Sequence, residues 1–309
     1  MGDSILSNTL KMKETYILGQ NQINGMSNSN VKKVDRKLKS FLILLSLTEL
    51  SKDLEEIPEN KNNKIITLIT KFFQKYKIGE STDEILLEIS QLIKTDNFEL
   101  IISDIFDNLD SELTHNKRSV STFQSFKSNY LSNEEEQKRN FFEANKNGSI
   151  VQKLFYIPKE KIINCKCNKI TYDYNFDKFV LIDLDNENDG ILLKNKLFKK
   201  QQINKNDECK FCSKKNNKKV KESFIDFPKT LIVYLKGTKI NNFSLNKSNN
   251  FPNCIIKNVV YSLAAFIELN TNLVHFKISN NWYNYTENSN FETTNIESKK
   301  PIILIYKLS

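Results

Sequence analysis

The sequence predicts an α+β protein in which a helical half precedes an antiparallel sheet. Two changes of texture and one cysteine pattern carry the prediction. From about residue 30 to 145, apolar side chains recur at three- and four-residue spacing, as on one face of a helix. After about residue 148 the chain turns to short alternating or β-branched runs bounded by Asn- and Lys-rich segments, as strands and loops do. All five cysteines lie in this second half, at positions 165, 167, 209, 212 and 254.

In chain order, "VDRKLKSFLILLSLTELSKDLEEI" reads as one amphipathic helix, followed by "KIITLITKFFQKY", "DEILLEISQLI" and "NFELIISDIFDNLDSEL". Ser81, Thr82 and Asp83 would cap the third of these segments, and Asp96 and Asn97 the fourth. The expected strands are "SIVQKLFYI", "KFVLIDLD", "TLIVYLKG", "VVYSLAAFIEL", "LVHFKI" and "PIILIYKL". "SNEEEQKRN" and "NKSNN" read as solvated loops.

A chain of 309 residues with 39% apolar content can bury a sizeable core. Its formal charge of +9 comes from Lys scattered among Asn and Ile, with little Arg, so nucleic acid is not indicated as a partner. No run of about 18 apolar residues occurs, and the N-terminus lacks the apolar core of a signal peptide. A membrane partner is therefore not expected, and the compartment expected is the cytoplasm or nucleus.

"NCKCNK" and "DECKFCSK" set a C-x-C and a C-x-x-C pair 41 residues apart. Each pair lets one tight turn offer two thiolates to the same ion, and two such turns complete a tetrahedral four-thiolate site. The expected cofactor is one structural Zn²⁺ on Cys165, Cys167, Cys209 and Cys212, with the intervening strands forming a ribbon tied at its base. Such a closed site leaves no position open for substrate. Cys254, beside "FPN", reads as a small buried apolar residue.

With helices first, a zinc ribbon in the middle and this C-terminal strand series, the chain resembles the ubiquitin-specific proteases over nearly its whole length. The match is carried by "SIVQKLFYIPKEKIINCKC", "LIDLD", "LFKKQQINKNDECKFC" and "FIDFPKTLIVYLKG", with Phe227, Pro228, Leu231, Leu235 and Lys236 in register. Gly237 stands where the family has Arg. Phe251-Pro252, "YSLAAFI", "WYNY" and "PIILIYKL" follow in family order, and "TDNFELIISDIFDNL" is similar to the family's Gln-Asp-x-x-Glu-Phe helix, with Asp96 and Glu99 retained. The resemblance implies a papain-like cysteine protease fold occupying 1–309 as a single domain: a helical thumb at about 14–145, zinc-ribbon fingers at about 146–225 and an antiparallel-sheet palm at about 226–309.

The family's chemistry needs a thiolate, an imidazole to activate it and a carboxylate or amide to orient the imidazole. Residues 16–29, "YILGQNQINGMSNS", resemble its cysteine box but contain no cysteine. Anchoring on Asn28-Ser29 puts Gly25 at the nucleophile position, and anchoring on Leu18-Gly19 puts Gln22 there. A hairpin turning at Asn280-Asn281 would set Ser279 opposite Trp282 and His275 opposite Thr286. His275 would then hold the family's histidine position, and Thr286 the orienting one, where the family has Asp or Asn. A competing register puts Asn272 at the histidine position.

The expectation is a catalytically inactive member of this fold that binds ubiquitin or a ubiquitinated protein, or holds a multiprotein complex. One alternative is a ubiquitin-independent scaffold resembling the inactive splicing factor of this fold, whose Gly-Leu-Asn-Asn-Ile start is similar to "GQNQI". Another is an active thiol-dependent deubiquitinase with an unrecognised nucleophile.

Overall fold

A computed structural model of the chain describes residues 36–58, 63–115, 126–127, 134–145, 148–165, 167, 170–185, 201–203, 212, 218–237, 253–256, 259–279, 281–285, 291–296 and 299–308. The first apolar run forms two helices, α1 (Arg36–Ser46) and α2 (Leu50–Glu55). The break between them is held by polar groups. Thr48 Oγ1 donates to Leu45 O at 2.7 Å, and Lys307 Nζ reaches across from the far end of the chain to Leu47 O at 2.8 Å.

Helix α3 (Lys64–Ile78) ends at Gly79, whose φ of 76° gives the left-handed turn that closes it. Its first turn is capped from another helix: Ile65 N and Ile66 N each donate at 2.9 Å to the Glu112 carboxylate. Helix α4 (Asp83–Leu92) begins where predicted, although Thr82 makes no side-chain cap bond; Ser81 Oγ accepts from Asp83 N at 3.5 Å, and Asp83 and Glu84 in the first turn complement the helix dipole. Asn97 caps α5 (Phe98–His115) as expected, accepting from Glu99 N at 2.8 Å.

Helix α6 spans Glu134–Ala144, and its first half takes up most of "SNEEEQKRN", a stretch expected to be loop. The run "SIVQKLFYI", expected as a strand, opens instead with α7 (Ile150–Phe155). The cause is a capping box: Ser149 Oγ accepts from Gln152 N and Gln152 Oε1 accepts from Ser149 N. Only from Ile157 does the run become extended.

The strands build two sheets. The smaller has the order β1-β3-β2-β6-β5, from β1 (Phe126–Lys127), β2 (Ile157–Cys165), β3 (Ile170–Asp177), β5 (Gln201–Ile203) and β6 (Lys218–Phe224). The larger has the order β12-β11-β10-β9-β13-β7-β4, with β8 also on β9. Its members are β4 (Val180–Asp183), β7 (Thr230–Lys236), β8 (Asn253–Ile256), β9 (Val259–Glu268), β10 (Val274–Ile278), β11 (Asn281–Tyr285), β12 (Phe291–Thr293) and β13 (Pro301–Leu308). Strand β4 corrects the expected ribbon. "VLID" leaves the cysteine-bearing sheet and runs parallel to β7, with Val180 opposite Val233 and Ile182 opposite Leu235, where both are buried.

The larger sheet carries apolar side chains on both faces, which is why its strands read as continuous rather than alternating runs. Ile232, Tyr234, Ala265, Ile267, Val274, Phe276, Ile303 and Ile305 join one buried cluster with the helices. Leu231, Val233, Leu235, Phe266, Leu304 and Tyr306 point the other way into a second cluster.

Candidate metal centre and histidine strand

Cys165 closes β2 and pairs with Lys218 at the head of β6, Cys167 follows in the turn toward β3, and Cys212 precedes β6. The antiparallel pairing of β2 with β3 and β6 brings the two knuckles to one end of the sheet. The three Sγ atoms lie within 4.8 Å of one another, and those of Cys165 and Cys212 are 3.7 Å apart. Thiolates at about 2.3 Å from one tetrahedral ion stand roughly 3.8 Å apart, so this group can hold a metal. All three are free of disulfides. Cys209, the predicted fourth ligand, lies outside the described residues. Cys254 is in β8, opposite Tyr261, in the other sheet.

The stem beneath the cysteines is tied by charge. Lys159 lies 3.3 Å from Asp177 and 3.2 Å from Glu222 across the three central strands. Burial would lower the Lys159 ammonium, but the two carboxylates outweigh it and raise its pKa. Burial pushes the Asp177 carboxyl up. Tyr174, wholly enclosed, donates to Glu160 at 3.2 Å.

Two residues that the resemblance singled out on distant segments meet. Lys236 Nζ is 3.6 Å from Glu99 Oε2, linking the end of β7 to the start of α5. Gly237 has φ +114°, and a Cβ there would stand 2.8 Å from Asp185 Cγ. Any larger residue at this position, arginine included, would be strained by both the backbone and the contact.

The hairpin register differs from the expected one. His275 pairs with Asn284, Phe276 with Tyr283, Lys277 with Trp282 and Ile278 with Asn281. Ser279, at φ 54°, takes the left-handed position of the turn. His275 therefore does not face Thr286, which lies outside the described residues, as do Gly25 and Gln22. The competing candidate, Asn272, lies in the β9–β10 turn, where its carbonyl accepts from Ser40 Oγ of α1 at 2.5 Å.

The His275 ring is wholly buried. It stacks on Phe266 at 4.5 Å with 14° between the planes, and its Nε2 is 3.2 Å from Glu268 Oε2. Val274 and Phe276 on either side pack with the helices, so His275 points to the opposite face of the sheet. Burial lowers the pKa of the imidazole. Burial alone would raise Glu268, yet its bonds from Thr271 and His275 and the nearby Lys299 lower it. Glu268 was not singled out in the sequence. Its one signal was an acidic residue ending a buried strand beside a turn rich in Asn and Thr.

Among the described residues, no helix is long and apolar enough to cross a membrane. The fold is that of the ubiquitin hydrolases: helices against one face of a large sheet, with a smaller cysteine-tipped sheet beside it. Among solved structures, the chain is similar to the Saccharomyces cerevisiae PAN2 pseudoubiquitin-hydrolase, at 15% identity and TM-score 0.57 over 88% of this chain and 83% of that one. The Neurospora crassa Pan2 catalytic unit matches at 12% identity and TM-score 0.63, over 96% of this chain and 58% of that one. The SAGA DUB module containing Ubp8, bound to monoubiquitin, matches at 15% identity and TM-score 0.52, over 99% and 75%. No protein-family model and no curated protein matches the sequence.

Proposed function

We propose that this chain is a non-cleaving protein of the ubiquitin-hydrolase fold that binds ubiquitin or a ubiquitinated partner, with fingers held by one structural zinc on Cys165, Cys167, Cys209 and Cys212. The distribution of thiols carries the reading. No cysteine precedes Cys165, so the segment entering α1 offers no thiol nucleophile, while three of the five cysteines converge at the finger tip. The placement of His275 supports it as well, because a buried imidazole turned away from the helical layer is not positioned to activate a group delivered from that layer. The Ubp8 module, a match over nearly the whole chain, is a multiprotein assembly seen with ubiquitin. The reducing compartment that free thiolate ligands require fits the cytoplasm or nucleus.

Two experiments test the reading. A ubiquitin-derived electrophile that traps active thiolates should form no adduct; an adduct mapped to any cysteine would establish an active deubiquitinase instead. Titration followed by ubiquitin chemical shifts should show micromolar binding, about −8 kcal/mol. The absence of perturbation at millimolar ubiquitin would favour a second reading, a ubiquitin-independent scaffold. The similarity to a protein described as a pseudoubiquitin-hydrolase fits both readings, since that description concerns hydrolysis and not ubiquitin binding.

A further inference from the structure

Glu268, at the end of β9, gathers three donors on one carboxylate. Oε2 accepts from Thr271 Oγ1 at 2.9 Å and faces His275 Nε2 at 3.2 Å, while Oε1 lies 3.3 Å from Lys299 Nζ. These bonds organise the β9–β10 turn. Leu273 N donates to Thr271 Oγ1 at 3.2 Å, Asn272 N donates to Glu268 O at 3.0 Å and Glu268 N to Leu273 O at 2.8 Å. The turn needs that support, since Asn270 and Asn272 both occupy the left-handed region, at φ 73° and 55°. Its tip is what the helical layer touches, through the bond from Ser40 Oγ to Asn272 O. The carboxylate, the turn and the N-terminal half of α1 thus form one chain of contacts.

His275 is the member of this chain that can change charge near neutral pH. In the neutral ring, Nε2–H donates to Glu268 and Nδ1 carries a lone pair. Nδ1 is buried without a partner. Asn284 stands directly opposite across β10–β11 on the same face, and its Oδ1 is likewise buried without a partner. A second ring proton would arrive at Nδ1, where nothing among the described residues accepts it. It would add charge against Phe266 and Trp282, whose rings are 5.6 Å apart, on a face that also carries Lys299 near Glu268 and Lys277 two residues along β10. Asn284 Oδ1 makes no bond that would hold it back, so the cost falls on the imidazole: a charged ring enclosed with Phe266 regains solvent only by leaving its place, and that movement breaks the bond to Glu268 that shapes the turn.

We infer that the Glu268–His275 contact is an acid-sensitive latch: protonation of His275 loosens the β9–β10 turn and releases its hold on Ser40 of α1. Depression of the imidazole by burial sets the direction, with the latch closed at neutral pH and opening below the ordinary histidine range.

The chain has only two histidines, so the full-length protein gives a simple imidazole NMR spectrum, and His115→Gln assigns it. His275 should titrate below pH 6.5, and amide exchange of residues 269–273, corrected for the intrinsic pH dependence, should rise several-fold with the same midpoint. His275→Gln retains an amide donor for Glu268 without the titration and should abolish that step. Glu268→Gln removes the carboxylate that favours the charged ring, so it should move the His275 midpoint lower still. A His275 titration that leaves exchange of 269–273 unchanged would overturn the latch. So would the same exchange step persisting in His275→Gln or, should that variant fail to fold, an unmoved midpoint in Glu268→Gln.

Discussion

Gly148 occupies a position where one methyl group would test the capping network at the start of α7. A Cβ on Gly148 would stand 2.3 Å from Gln152 Oε1 and 3.2 Å from Asn145 O. The first contact is with the end of a flexible side chain, so the amide can move away, but it cannot move without losing its bonds. Gln152 Oε1 accepts from Ser149 N at 3.0 Å, and Nε2 donates to Asp110 Oδ2 at 2.8 Å. The other Asp110 oxygen is buried without a partner, so displacement strips the carboxylate of this bond. Losing half of a capping box costs about 1 kcal/mol, and losing a charge-assisted hydrogen bond at a buried acceptor about 1.5–3 kcal/mol. Gly148→Ala should therefore destabilise the protein by roughly 2–4 kcal/mol, read as a lowered urea midpoint with an unchanged slope. Gln152→Ala removes the same bonds directly, so adding Gly148→Ala to it should cost little further. A double variant whose loss equals the sum of the two single losses would refute the reasoning, because it would show that Gly148 acts through something other than the Gln152 amide.

Elemental analysis should find one zinc per chain, and Cys212→Ser should reduce it. A chelator should expose residues 157–165 and 218–224 to exchange before the helices, given that structural zinc contributes on the order of 10–16 kcal/mol to folding of small modules. Gly237→Ala should cost roughly 1–3 kcal/mol, because φ +114° and the Asp185 contact both oppose a side chain; a midpoint unchanged by the substitution would contradict that. His275→Ala should lower the urea midpoint by the equivalent of roughly 2–4 kcal/mol, since it empties a fully packed site against Phe266. Thermal stability should fall as pH drops from 7 toward 4. His275 and Glu268 both have folded pKa values below their ordinary ones, so each contributes stability above its unfolded value of 6.5 or 4.5 and loses it as the pH falls through the folded one. Gly25→Cys should give no turnover of a fluorogenic ubiquitin substrate, because His275 is turned from the helical layer.

The helices and the long strands were legible because their periodicity is set by burial, which the sequence writes directly. The break between α1 and α2 was not, because Leu47 continues the apolar spacing and the carbonyls there are satisfied by Thr48 and by Lys307, a residue 260 positions away. Helix α7 was hidden by "SIVQKLFYI", whose β-branched residues suggest a strand; the Ser149 and Gln152 spacing was the available signal. The hairpin error has a specific cause. The expected and observed pairings differ by two residues, a shift that keeps every side chain on its face, so alternation could not separate them. Only the turn decides, and Ser279 in the left-handed region decides it. The convergence of Cys165, Cys167 and Cys212 was readable because two close cysteine pairs are a local pattern. The Glu268–His275 contact was not, because it depends on which residues two strands set side by side.

The same alternation bears on why the proposed loss of cleavage would be hard to reverse. Along β10, Val274 and Phe276 face the helices and His275 faces away. Turning His275 toward the helical layer would take a slip of one residue in the pairing with β9. That slip would also carry Val274 and Phe276 out of the main core and face them toward Phe266 and Trp282. Burying a large apolar side chain contributes about 1.5–3 kcal/mol, so two such displacements would cost several kcal/mol before any polar group is counted. The Glu268 contact would be lost as well, and with it the support of the β9–β10 turn. On this account a missing thiol is the smaller obstacle. The histidine is held on the far face by the packing that makes the sheet stable, and supplying a nucleophile from the helical half would leave that packing unchanged.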